Sequence, residues 1–118
     1  TNQNQKTDIL AVKLVPGPNG APIGKVIRVR DVNKAIEKNV SPNFEEVASR
    51  SVDVAFHLPV NVVFCLGSTG RIIDFANVTL IGPVLIFGTD HDGCVCSLTR
   101  AQIHAIAYFC ASFRYSEE

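Results

Sequence analysis

The segment Pro16-Gly17-Pro18-Asn19-Gly20 constrains this chain more than any other stretch. Two prolines, two glycines and an asparagine in five residues exclude a helix or a continuous strand, so the chain must turn there. β-patterned runs stand on either side, at residues 9–15 and 23–30. In the second run Ile23, Lys25, Ile27 and Val29 share one face, and Val26, Arg28 and Arg30 the other. The two runs predict an antiparallel hairpin with a wide loop.

Beyond the hairpin the periodicity changes. Asp31 suits a helix N-cap, and Val32, Ala35, Ile36 and Val40 follow at helical spacing, with Lys34 and Lys38 four apart on another face. A weaker helical segment is expected over residues 43–49, where Glu45 and Glu46 occupy the first turn. From Ser51 onward Val52, Val54 and Phe56 alternate with polar or small neighbours. Pro59 interrupts, and residues 60–66 form a buried-strand candidate. Residues 67–70 make a turn and 71–75 a short strand. Gly82-Pro83 then separates residues 78–81 from 84–87, giving either two strands or one bent edge strand. Asp90-His91-Asp92-Gly93 suits a tight hairpin turn, with residues 94–96 returning from it. Thr99 and Gln102 fit a capping box, opening a last helix expected over residues 99–113.

The order of elements predicts an α+β fold: one small domain, a mainly antiparallel sheet, an N-terminal hairpin and a packed C-terminal helix. Residues 1–7 are polar and aperiodic and are expected to be a disordered tail, with the domain covering 8–118. The last helix is apolar on several sides, and 47% of the 118 residues are apolar. That surplus predicts a homo-oligomer, a dimer, with Ile106, Phe109 and Phe113 at the contact.

Eleven basic residues balance eleven acidic ones, which argues against a whole surface built for nucleic acid or an acidic membrane. No apolar run is long enough to cross a bilayer, and TNQNQKTD has no signal core, so a cytoplasmic setting with free thiols at Cys65, Cys94, Cys96 and Cys110 is expected. Asp90, His91, Asp92, Cys94 and Cys96 crowd together, but a Cys-x-Cys strand lacks zinc-ligand spacing and no second ligand pair exists. No metal or other cofactor is expected. His57 and His104 have no serine, cysteine or carboxylate tied to them by a recognised spacing, so no catalytic set is assigned. The glycine-rich turn at 67–70 lacks the lysine of a phosphate-binding loop. Lys25, Arg28, Arg30, Lys34 and Lys38 gather within fourteen residues, opposed only by Asp31 and Glu37. From these, Arg28, Arg30, Lys34 and Lys38 are the candidate ligand-binding residues, suited to a phosphate-bearing molecule or an acidic protein surface.

Several segments in order also carry a resemblance. A strand ending in Val15-Pro16-Gly17, then Ile81-Gly82-Pro83-Val84-Leu85-Ile86-Phe87-Gly88, an acidic turn, and Ser97-Leu98-Thr99-Arg100-Ala101-Gln102 together resemble the small phage and mobile-element proteins grouped as domain of unknown function 3846. The family's acidic "cNEeG" turn is replaced here by residues 65–70, and its "lppN" segment survives only as Phe75-Ala76-Asn77. The resemblance implies a phage or mobile-element origin and the cytoplasm of a host cell, but no chemistry and no catalytic residue. Two functions are expected from the sequence. One is a non-enzymatic binding protein acting on a host defence or regulatory component. The alternative is a small-molecule binder that sequesters a nucleotide-like or phosphorylated ligand at a subunit interface.

Overall fold

The computed structural model describes residues 8–67 and 69–115. Ile9–Val15 (β1) pairs antiparallel with Ile23–Val29 (β2), in unbroken register from Ile9↔Val29 to Val15↔Ile23. The Pro-Gly segment between them closes through a 3-10 turn, Pro18–Gly20, with Asn19 (φ 55°) and Gly20 (φ 83°) in the left-handed region that these two residue types enter most readily. Val32–Asn39 (α1) follows, and Asp31 caps it by accepting the Lys34 N–H at 3.2 Å.

The expected second helix over 43–49 is not formed. A single 3-10 turn, Phe44–Glu46, stands there, and Val47–Ala55 (β3) starts at once. The side chain of Asn43 satisfies the Glu45 N–H of that turn, while Val47 to Ala55 find a full-length partner in Leu58–Cys65 (β4). A long ladder outweighs a weak helical preference. Gly82-Pro83, a cis peptide, divides two strands rather than bending one. Before it, Ile72–Phe75 (β5) and Val78–Ile81 (β6) form a separate hairpin around Ala76 and Asn77, both at positive φ. After it, Val84–Thr89 (β7) enters the main sheet. The Asp90 turn forms as its sequence indicates: the Asp90 carboxylate accepts the N–H groups of Asp92 and Cys94, Gly93 takes φ 83°, and Val95–Cys96 (β8) returns along β7.

The capping box at Thr99 and Gln102 is present in both directions, but its helix, Arg100–Tyr108 (α2), ends well short of residue 113. Ser112–Tyr115 (β9) instead joins the sheet beside β2 as its one parallel pairing. Two contacts draw it there: Ala111 N–H donates to the Pro22 carbonyl at 2.8 Å, and the Phe113 ring packs against the bare backbone of Gly24. The main sheet therefore runs β3-β4-β7-β1-β2-β9, with β8 on β7. β7 lies at its centre and is buried at five consecutive positions, matching its unbroken apolar sequence.

Each face of the sheet carries its own apolar cluster. On one face Ala11, Val29, Val63, Leu85 and Phe87 pack under Val32, Ala35, Ile36 and Val40 of α1. On the other, Val12, Leu14, Val26, Val62 and Ile86 pack under α2 and the β5–β6 hairpin. The residues expected at a subunit contact belong to this second cluster. Ile106 has no exposed surface, Phe109 meets the Phe75 ring edge-on at 5.4 Å, and Phe113 is half-buried over Gly24. Ile103 and Ile106 of α2 are buried in this cluster, while Tyr108 stays exposed. Among the described residues no helix is long and apolar enough to cross a membrane. The expectation of a disordered tail at 1–7 lies outside the described residues.

Candidate functional site

Strand alternation sorts the basic residues of the hairpin. Val26 belongs to the α2 face and Val29 to the α1 face, so Lys25 falls with Ile27 and Val29 on the α1 face while Arg28 falls on the α2 face. Register then extends the α1-face set. Lys25 pairs with Lys13 on β1 and with Arg114 on β9. Three cations thus stand side by side across three adjacent strands. Adjacent strands lie about 4.8 Å apart, so the row is roughly 10 Å long.

Helix α1 supplies a wall to this row. Lys34 and Lys38, one turn apart, line with Lys13, Lys25 and Ile27 a trough of about 450 Å³. Among the described residues, none of Lys13, Lys25, Lys34, Lys38 and Arg114 has an ion-pair partner. The acid at the trough's end, Asp31, is engaged as the α1 cap. Like charges directly opposite on neighbouring strands destabilise a sheet, by an amount on the order of 0.2–1 kcal/mol per pair. Two such pairs in one row, with no ion-pair partner among the described residues, form a standing attraction for an anion.

The four expected ligand-binding residues are therefore divided. Lys34 and Lys38 face the trough. Arg28 and Arg30 border its rim, but Arg28 projects with Val26 on the opposite face, and Arg30 is engaged by Asp8, Nε to Oδ1 at 3.3 Å. The hairpin brought them close in sequence, and alternation separated them in space. Lys13 and Arg114 carried no signal in the local sequence. The register of β1 places the first, and the strand β9, hidden in what reads as a helix, places the second.

The other candidates stay apart. The exposed His57 occupies the β3–β4 turn at φ 56°, its ring 4.0 Å from that of Phe56. His104 lies on the exposed side of α2, where it lines with Arg100, Leu10, Ile103 and Tyr115 a depression of about 500 Å³. Neither histidine bonds a nucleophile or a carboxylate among the described residues. Cys94 is exposed, Cys96 half-buried, and among the described residues no three His, Cys, Asp or Glu converge as a metal would need. Cys65 contacts the Glu46 carboxylate at 3.7 Å. Cys110 donates to the Ile106 carbonyl, and burial pushes its thiol up to about 11. The turn at 67–70 includes Ser68, outside the described residues. Comparison with known proteins finds no matching family model, no matching curated protein and no matching solved structure.

Proposed function

We propose that this protein is a non-enzymatic binder of a phosphate-bearing ligand, held on the α1 face of the sheet. The observation that carries the reading is the row Lys13–Lys25–Arg114, three cations in cross-strand register beside Lys34 and Lys38, with no ion-pair partner among the described residues. Lysine ammoniums act on phosphate as mobile point charges, while the Arg114 guanidinium offers a planar fork. Ile27 and Ala35 line the trough between the charges, and the site stays open to solvent and to screening by salt.

Action on a host component of a phage or mobile element is supported by the motif resemblance alone. The basic row favours a small polyanion over a broad apolar protein contact. Inorganic pyrophosphate titrated at low ionic strength tests the proposal by calorimetry. Binding is expected in the native chain, with a loss of roughly tenfold or more in Lys25→Gln. A native chain that releases no heat and gains no thermal stability with pyrophosphate would sink it.

A further inference from the structure

The shape of the row says more than its charge. An isolated phosphate is best held by donors converging from several directions, as at a helix N-terminus or a backbone nest. Here the donors start from positions laid out in a row. Lys13, Lys25 and Arg114 follow one straight line perpendicular to the strands, each carried by a different strand of the same rigid sheet. Strand spacing sets their backbone separation at about 4.8 Å, so a ligand with charge spread along its length can meet all three without the side chains bending toward one point.

Resting on the trough reading above, we infer that the ligand is a condensed phosphate chain of three units, lying across β1, β2 and β9. That chain is the one found in inorganic tripolyphosphate and in a nucleoside triphosphate. The two ends of the row are unlike. Lys13 and Lys25 share the trough with Lys34 and Lys38, whereas Arg114 stands outside it on the edge strand. Four lysines around the inner end hold the first two phosphates. The third reaches Arg114, whose bidentate fork suits a terminal phosphate with its oxygens free. Among the described residues the outer end lies on the edge strand, away from the lining of the trough, which leaves that side for an attached nucleoside.

A chain-length series tests this. Orthophosphate, pyrophosphate and tripolyphosphate are titrated into the native chain and into Arg114→Gln at one ionic strength. The expected result is a stepwise rise in affinity with length, and in Arg114→Gln a loss of roughly tenfold for tripolyphosphate with pyrophosphate unchanged. That unchanged pyrophosphate value also shows the variant to be folded. Equal affinity for pyrophosphate and tripolyphosphate, or an Arg114→Gln variant that loses both alike, overturns the inference while leaving the trough as an anion site. ATP and tripolyphosphate compared at equal concentration separate the two sources of the chain. Tighter binding of a single-stranded oligonucleotide than of either would overturn the inference in favour of a polymer.

Discussion

At the scale of single residues, the four cysteines divide by environment rather than by spacing. Cys110 sits just past α2 between Ile106 and Gly24, with its thiol pushed up by burial to about 11 from an ordinary 9.0. Cys94 is exposed in the Asp90 turn. At pH 8 an alkylating reagent is therefore expected to label Cys94 well before Cys110, as mass spectrometry of partly labelled protein can check. The sign of the stability effect follows from linkage. Folding raises the Cys110 value, so the unfolded chain loses its proton first as the pH rises, and stability falls between about pH 9 and 11. Urea titrations across that window should show the decline in the native chain and a smaller one in Cys110→Ala. The same separation of neighbours explains the basic residues: Arg28 and Lys25 are three apart in sequence and on opposite faces of one sheet.

At the scale of elements, β9 decides both the sheet edge and the outer end of the basic row. Its seat is Gly24, where an added Cβ would meet the Phe113 ring at 2.7 Å and the Cys110 sulfur at 3.0 Å. Gly24→Ala is expected to lever β9 outward and to cost about 1–3 kcal/mol, read as a lower urea midpoint. Much of the remaining element structure was legible. The Pro-Gly break gave the β1–β2 hairpin, Asp31 gave the start of α1, and Thr99 with Gln102 gave the start of α2, because each signal is a local backbone demand. The end of α2 was not legible. Ile106, Cys110 and Phe113 fit a helical stripe, and only a distant partner, Pro22 to Val26, makes the last of them a strand residue. The candidate site failed in part for the same reason. Charge clustering along the chain pointed to α1 and β2, but cross-strand register is a property of pairing, and Lys13 and Arg114 stand about a hundred residues apart.

At the scale of the whole molecule, ligand binding and stability are one equilibrium. A phosphate chain that binds only the folded state at a hundred times its dissociation constant adds about 2.7 kcal/mol, an upward shift in Tm on the order of 10 °C for a domain of this size. The shift should shrink as sodium chloride rises from 0.05 to 1 M, since the Debye length contracts to about 3 Å and the row is open to solvent. A shift independent of salt in differential scanning calorimetry would contradict a site built from exposed charges. The sheet that carries the row contains two hairpins, β1–β2 and β3–β4, which among the described residues are hydrogen-bonded to each other through β7. An isolated hairpin is marginal in water. Until residues 84–89 are present, therefore, neither hairpin has the strand that joins it to the other. Folding then depends on closing long loops, which places it among slow-folding, all-or-none domains. A nascent chain halted before residue 84 would lack the strand that both hairpins pair with, and would offer their unpaired edges to the cell's chaperones.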